Sequence, residues 1–238
     1  MRTRLNKILA QAGLTSRRGA DRLVLDGRVV VNGEVVTSPG VLVDPTVDRV
    51  EVDGRRLPAS ELLEYVLLYK PRGYVSTVRD PRGRPVVTDF LRGEHGRLYP
   101  VGRLDFDVEG VLLLTNDGEL THRLLHPRYG LPRVYEATVE GRVTESDLPR
   151  WRAGVTLDDG PARPGAADLV ESGAAASRLR LTFAEGRTHE VKRYCEALGH
   201  RVTRLTRIAF GPLTLGPLRP GQTRPLAPPE IRALRAIR

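Results

Sequence analysis

The sequence predicts an α+β protein in two parts, a small helix-and-hairpin module followed by a larger domain built mainly on an antiparallel sheet. In the first part, Leu5, Ile8 and Leu9 recur at helical spacing, and Ser16 can cap a second helical pattern. The turn Asn32-Gly33 between valine-rich segments is the strongest short signal for a β-hairpin. Strand patterns then dominate and helical ones are few, which is typical of a segregated α+β fold.

The composition points to a polyanionic partner. The chain has 238 residues and 38 basic against 29 acidic side chains, a formal charge of +9. A surplus of this size favours nucleic acid as the partner. A single cysteine, Cys195, excludes an intrachain disulfide and a cysteine-rich metal site. No apolar run reaches the roughly 20 residues of a membrane span, and the N-terminus lacks the apolar core of a signal peptide. We therefore expect a cytoplasmic protein that does not bind membranes.

The order of elements in each part can be predicted from local patterns. Beyond the hairpin, residues 49–52 form a short strand, and residues 58–64 read as a linker. Further strands are predicted at 65–69, after Asp105, and at 133–139, 178–183 and 202–208, with helices at 119–125, 145–152 and 190–198. Gly199 is placed to end the last helix. The segment 161–176, rich in alanine and glycine, is predicted to be a loop.

The segment around Asp105 carries the strongest chemical signal. Gly102-Arg103-Leu104-Asp105 precedes an apolar run that reads as a buried strand. Arg103 and Asp107 each lie two residues from Asp105, so on a strand they would share its face. Arg103 would then help to keep Asp105 ionised, as a nucleophilic carboxylate requires. Two neighbouring carboxylates also suit glycoside hydrolysis, although an aromatic content of 5% argues against a sugar site.

Two further segments place basic residues near turns or helix starts. Lys70-Pro71-Arg72-Gly73 follows a predicted strand and can present cations to phosphate. The second runs from Gly186 and Arg187 through His189 to Lys192 at the start of a predicted helix. We expect His189 to be a structural or RNA-contacting group, not a proton shuttle.

Together these motifs resemble those of the pseudouridine synthases of the RsuA/RluB type, and the resemblance spans nearly the whole chain. It implies that Asp105 is the single essential aspartate, that Tyr135 stacks on the target base and that Lys192 pairs with Asp105. It also implies that Leu205 lines the pocket. The resemblance gives the Lys70-Pro71-x-Gly73 motif two roles, structural support of the site and contact with RNA. It also assigns RNA contact to Arg72 and Arg187.

Three residues depart from the family pattern. Lys192 stands where arginine is more common and offers a point charge instead of a bidentate fork. Val108 and Glu109 stand where small hydroxyl residues are common, which affects the RNA contacts expected of this loop and not the aspartate.

The first sixty residues resemble the alpha-L RNA-binding domain first known from a small-subunit ribosomal protein. The landmarks are Ser16-Arg17-Arg18, Gly27-Arg28-Val29 and Val31-Asn32-Gly33. The resemblance divides the chain into an RNA-binding domain at 1–60 and a catalytic domain at 64–238. The basic residues expected to contact RNA in the first domain are Arg4, Lys7, Arg17, Arg18 and Arg22.

The resemblance implies isomerisation of one uridine in ribosomal RNA to pseudouridine, without cofactor or metal. Residues 76–85 favour the subgroup that acts on large-subunit RNA. The expected partner is ribosomal RNA or a pre-ribosomal particle, and the protein is expected to be a monomer. Two alternatives remain open: the same chemistry on small-subunit RNA, and a non-catalytic RNA-binding factor for ribosome assembly.

Overall fold

A computed structural model describes residues 2–57, 62–91 and 96–237. The chain falls into two compact units, Met1–Leu63 and Glu64–Arg238. Residues 58–61 of the predicted linker lie outside the described residues. Among the residues described, no helix is both long and apolar enough to cross a bilayer.

The first unit combines two helices with short strands. Its elements are β1 (Thr3–Arg4), α1 (Leu5–Gln11), α2 (Arg17–Leu25), β2 (Val29–Val31), β3 (Glu34–Val36), β4 (Leu42–Val43), β5 (Val50–Val52) and β6 (Arg55–Arg56). Both predicted helices and the predicted hairpin are confirmed. The Ser16 hydroxyl accepts a hydrogen bond from the Gly19 amide at 3.0 Å and so caps α2. Asn32 and Gly33 both have positive φ, as a tight hairpin turn requires.

The second unit contains one large sheet with helices against it. Its elements are β7 (Tyr65–Lys70), β8 (Tyr99–Pro100), β9 (Glu109–Thr115), α3 (Gly118–Leu125), β10 (Arg133–Glu140), α4 (Leu148–Ala153), β11 (Val155–Leu157), β12 (Gly160–Ala162), β13 (Ala166–Ser172), β14 (Ala176–Phe183), α5 (Glu190–Ala197), β15 (Val202–Phe210), β16 (Leu213–Thr214), β17 (Thr223–Pro225) and α6 (Pro228–Arg235).

The sheet runs in the order β13-β14-β10-β15-β9-β7-β17. Among its described strands, β9 and β15 pair in parallel and the remaining pairs are antiparallel, which confirms the predicted fold class. The central strand β9 is buried along its whole length. Its alternate side chains enter two apolar layers, one shared with α4 and α5 and the other with α3 and α6. A strand covered on both faces is expected to read as a continuous apolar run, as this one does.

The parallel pairing of β9 with β15 depends on Gly110, which lies opposite Arg207. A Cβ at Gly110 would lie 2.1 Å from the Arg207 carbonyl oxygen, and the residue has φ near +123°. Only glycine allows this close approach of two backbones. Gly110 thereby sets the position of Arg207 beside the segment that carries Asp105.

Two predictions about local structure are wrong. Residues 161–176 are not a loop: β12 and β13 lie within them, and β13 pairs with β14 along most of its length. Alanine has low strand propensity, but the backbone hydrogen bonds to β14 override it here. The predicted helix at 145–152 is split into a 3-10 turn, Glu145–Asp147, and α4, which carries Pro149 in its first turn.

Candidate active site

A cavity of about 610 Å³ opens in the second unit beside the segment that precedes β9. Residues from four distant parts of the chain line it. The predicted site residues among its lining are Arg103, Asp105, Tyr135, Arg187, Lys192 and Leu205. Lys70 and Arg72 do not line this cavity.

Asp105 lies in a loop and not on a strand, because β9 begins only at Glu109. Leu104 and Val108, which flank it, are 6% and 2% exposed and anchor the loop in the apolar layer. The Asp105 side chain itself stays 30% exposed. The loop therefore holds one carboxylate at the cavity while its neighbours are packed inside.

Lys70 anchors this loop through its ammonium group. Its Nζ donates hydrogen bonds to the carbonyl oxygens of Val108 at 2.7 Å, Asp105 at 2.9 Å and Pro71 at 3.1 Å. The residue is fully buried, so its Nζ is not available for the RNA contact predicted of it. Its three donors are satisfied by carbonyl oxygens, which is the condition for burying a cation. Lys70 supports the Asp105 loop, which is the structural role that the resemblance also implied for this motif.

The burial of Lys70 also changes its titration. Removal from water lowers the pKa of Lys70 to about 8, although the negative charges of Asp105, Asp107 and Glu109 oppose the shift. The ammonium form donates three hydrogen bonds, and the neutral amine has only two N–H groups. The support of the loop is therefore complete only when Lys70 is protonated.

Ser76 and Gly73 hold the same loop from the other side. The Ser76 hydroxyl donates to the Leu104 carbonyl oxygen at 2.8 Å and accepts from the Leu104 amide at 3.0 Å. The Gly73 amide donates to the Phe106 carbonyl oxygen at 2.7 Å. Sequence reasoning missed this role of Ser76, because a lone serine in a predicted loop carries no local signal. The arrangement fixes Asp105 through its backbone on both sides.

Two basic groups lie near the Asp105 carboxylate. Lys192 Nζ is 3.6 Å from Oδ2, and His189 Nε2 is 3.8 Å from Oδ1. His189 stands at the start of α5 and has φ near +53°, a backbone conformation that residues other than glycine rarely adopt. Strained backbone of this kind is concentrated at functional sites.

Arg103 does not play the part predicted for it. The residue is exposed, and it forms no ion pair with Asp105 in the described structure. The prediction assumed a strand that would place both side chains on one face, and residues 101–108 form no strand. Arg103 lines the cavity and is open to solvent there.

Lys192 is bound more tightly to Asp107 than to Asp105. Its Nζ donates to both carboxylate oxygens of Asp107, at 2.7 and 2.8 Å. Partial burial raises the pKa of Asp107, but the hydrogen bond and charge of Lys192 outweigh it and leave the pKa below its usual value. A glycosidase needs one carboxyl group that stays protonated as the acid. The ionised Asp107 argues against that alternative.

Tyr135 and Leu205 complete the cavity wall on adjacent strands, β10 and β15. Tyr135 is partly buried against the apolar layer, and Leu205 is 5% exposed. Arg133 and Arg207 lie beside Tyr135 and are 7% and 2% exposed. Sequence reasoning missed both arginines, because an arginine on a predicted strand reads as a surface residue. No group of three or more His, Cys, Asp or Glu side chains suited to a metal ion occurs within the described ranges.

Comparison with known proteins identifies the family of this fold and cavity. The model of the RNA pseudouridylate synthase family matches residues 64–197, which is more than half of the chain. The chain belongs to the RNA pseudouridylate synthase family. The model of the S4 domain matches residues 3–50. These matches confirm both resemblances predicted from the sequence, and the family membership makes this chain an isomerase.

Individual relatives cover the whole chain. An uncharacterized RNA pseudouridine synthase of Aquifex aeolicus is 48% identical, covering 98% of this chain and 94% of its own. The ribosomal large subunit pseudouridine synthase B of Bacillus subtilis is 43% identical over 98% of this chain and 96% of its own. A crystal structure of a pseudouridylate synthase is 32% identical, with a TM-score of 0.67 over 97% of this chain and 99% of that one.

Within this synthase, Arg187 serves the protein's own structure. Its Nε donates to Glu190 at 3.2 Å, Nη1 to Asp159 at 3.1 Å and Nη2 to the Pro161 carbonyl oxygen at 2.7 Å. Arg193 binds both oxygens of the same Asp159. These bonds fasten the β11–β12 hairpin to the start of α5, so Arg187 is largely engaged before any RNA arrives. Its predicted RNA contact is not supported by this geometry.

The two departures from the family pattern next to Asp105 have a structural explanation. Val108 is buried in the apolar layer. Glu109 is 5% exposed, and its Oε1 accepts hydrogen bonds from Arg204 at 2.6 Å and Thr206 at 3.0 Å. A buried carboxylate with these partners is satisfied. Neither side chain is available to RNA, so both act in packing β9 against β15.

The basic residues predicted to bind RNA in the first unit face solvent. Four are exposed and Lys7 is half-buried, and none forms an ion pair in the described structure. Arg72 of the second unit is exposed as well. By contrast, Arg28 binds Asp53 at 2.5 Å and Arg49 binds Glu51 at 2.6 Å. The first set has no carboxylate partner among the described residues.

Proposed function

We propose that this synthase isomerises a uridine of large-subunit ribosomal RNA to pseudouridine, with Asp105 as the nucleophile. The observation that carries the proposal is the meeting of Asp105, Tyr135 and Lys192, from three separated stretches, in one cavity. The Bacillus subtilis relative, similar over almost its whole length, is named a large-subunit synthase, which supports the choice of RNA.

The reaction breaks the bond between N1 of uracil and the anomeric carbon, and forms a bond from C5 to that carbon. N1 gains a proton and C5 loses one, so no oxidant or reductant is needed. The target base first leaves its stack, at a cost of a few kcal/mol. A flipped uridine then fits a cavity of about 610 Å³.

Each side chain has a role in this scheme. Asp105 acts at the anomeric carbon, and Lys192 forms an ion pair with it at 3.6 Å. Tyr135 stacks on the extruded base, and Leu205 packs against it. Lys70, Ser76 and Gly73 keep the loop in place, because a misplacement of about 1 Å can cost about 100-fold in rate.

The first unit supplies affinity. Arg4, Arg17, Arg18 and Arg22 are exposed and unpaired in the described structure, so they can neutralise phosphates and release counterions. Arg72 does the same near the cavity in the second unit. This division separates binding from chemistry in the chain.

The test is release of tritium from carbon-five-labelled uridine in unmodified large-subunit RNA. Wild type releases it, and Asp105→Asn, shown to be folded and to bind RNA, releases none above background. The matched control Asp168→Asn removes an exposed carboxylate that pairs with Arg152, far from the cavity lining, and keeps full activity. Appreciable turnover by Asp105→Asn overturns the nucleophile assignment.

The same assay on small-subunit RNA separates the two substrate alternatives. Release from large-subunit RNA alone supports the proposal. Release from small-subunit RNA alone contradicts the choice of RNA, and no release from either by wild type contradicts the activity. Mapping pseudouridines in RNA from cells that lack the gene then identifies the modified position.

A further inference from the structure

Arg207 is a buried cation that the proposed reaction scheme does not use. It is 2% exposed, and its Nε and Nη2 both donate to the Val111 carbonyl oxygen, at 2.9 and 2.8 Å. Its guanidinium lies over the Phe210 ring, 4.8 Å from the ring centre. These contacts fix two of its nitrogens on one side and still leave it among the residues that line the cavity.

No carboxylate neutralises this cation in the described structure. Arg207 forms no ion pair there, and neither does Arg133, which is 7% exposed and lies 5.7 Å from the same ring. Arg133 donates to the carbonyl oxygens of Leu131 and Ala184. Burial lowers the pKa of both arginines. The charge of Glu190 partly opposes this shift for Arg133, but neither guanidinium has a carboxylate in direct contact, so both favour a polar group at the cavity wall.

The hydroxyl of Tyr135 faces these two cations. Tyr135 on β10 lies directly opposite Arg207 on β15, and Arg133 precedes it by two residues and so shares its face. The attraction and hydrogen bond between Arg207 and Tyr135 oppose the effect of burial on the pKa of Arg207. Tyr135 also attracts Arg133. Tyr135 is thus the side chain of the cavity wall that shares a sheet face with both guanidinium groups.

We propose that Arg207 is a positioning residue, which holds the Tyr135 hydroxyl at the reaction centre. This inference rests on the proposed function and deepens it. It gives Tyr135 a polar role beyond stacking. In a site shielded from water, a hydrogen bond from a cation is stronger than it would be in water. The contacts to Val111 and Phe210 fix Arg207, so it can hold the hydroxyl in one orientation.

The first test compares Arg207→Met with Arg207→Lys and with the matched control Arg178→Met, an exposed arginine of β14 that pairs with Glu171. Loss of one oriented donor costs about 100-fold or more in kcat. We expect this loss for Arg207→Met, with RNA affinity unchanged, and a partial rescue by lysine, which keeps the charge but not the fork. Arg178→Met keeps the wild-type kcat.

A double-mutant cycle separates positioning from general support of the fold. If Arg207 acts through the Tyr135 hydroxyl, Arg207→Met has little further effect on single-turnover rates in a Tyr135→Phe chain. An equal loss in both backgrounds would show that Arg207 merely supports the strand and would overturn the proposal. Wild-type turnover in the same experiment reports the proposed function separately.

Discussion

The basic residues of the first unit and those of the cavity carry the same charge in opposite environments. Arg17, Arg18 and Arg22 on α2 are exposed and bind no carboxylate in the described structure. Lys70 and Arg207 are buried and donate to backbone carbonyl oxygens. Salt screens exposed charges strongly and buried ones weakly. Positive charge is therefore open to solvent in one region and fixed by backbone carbonyl oxygens in the other, and we propose that the first attracts phosphate.

The three lysines of the chain lie in environments that differ in burial. Lys7 is half-buried on α1 of the first unit, Lys70 is fully buried under the Asp105 loop, and Lys192 is 19% exposed between two carboxylates. The same substitution to methionine at each position removes one charge. Because the environments differ, the expected effects fall on different quantities, namely the rate of chemistry and the affinity for RNA.

The largest effect is expected for Lys70→Met. Methionine fills the space but leaves the carbonyl oxygens of Asp105 and Val108 without their donor, so the loop shifts. A shift of about 1 Å can lower the rate about 100-fold. Single-turnover kinetics on labelled RNA should show this loss in kcat, with binding measured separately and unchanged. Lys7→Met is the matched control, and it should leave kcat unchanged. A Lys70→Met chain that is folded and fully active would contradict the anchoring role.

Lys192→Met and Asp107→Asn test how one ammonium is shared. Lys192→Met removes the cation 3.6 Å from Asp105, and we expect a loss of about 10-fold to 100-fold in kcat, since an ion pair with a reacting group is worth about 1–3 kcal/mol. Asp107→Asn keeps the Lys192 cation and removes only the negative charge of Asp107, which competes with Asp105 for Lys192 at 2.7 Å. The loss in kcat should therefore be smaller. Single-turnover rates of the two variants decide the matter, and a larger loss for Asp107→Asn would show that Asp107 is the more important partner.

Much of the fold follows from local patterns, and the site follows only in part. The run from Val111 to Leu114 is apolar because β9 is covered on both faces, so its burial could be read from sequence. Asp105, Tyr135 and Lys192 meet in one cavity, as the family resemblance implied. Their assigned roles stay predictions until the variants are measured.

What sequence could not supply is the set of contacts between distant residues. Lys70 reads as a cation on a turn, yet it is buried because carbonyl oxygens more than 30 residues away accept hydrogen bonds from its ammonium group. Arg103 reads as the partner of Asp105 only if the segment is a strand, and the loop removes that geometry. Local spacing cannot reveal either case, because burial and backbone acceptors are set by tertiary packing.

A smaller effect is expected from buried Lys70 on the pH dependence of the free energy of unfolding. The pKa of Lys70 is about 8 in the folded chain and near its ordinary 10.5 when unfolded. Between these values the unfolded chain holds a proton that the folded chain has released, so the free energy of unfolding rises with pH. The contribution is at most about 1.4 kcal/mol per pH unit. Denaturant unfolding from pH 8 to 10 should show a steeper rise for wild type than for Lys70→Met. Parallel curves would contradict the shifted pKa.

The smallest effect per residue is expected on the exposed side, from Arg17→Gln and Arg18→Gln. Each removes one free charge from the start of α2, so the salt dependence of RNA binding should fall by about one phosphate contact per residue, with a loss of a few-fold in affinity. The matched control Arg178→Gln removes the same formal charge from a paired arginine of the second unit. Binding isotherms at several salt concentrations measure the slope. If all three variants have the same slope as wild type, the exposed arginines of α2 do not meet phosphate, and the contrast between the two regions fails for the first unit.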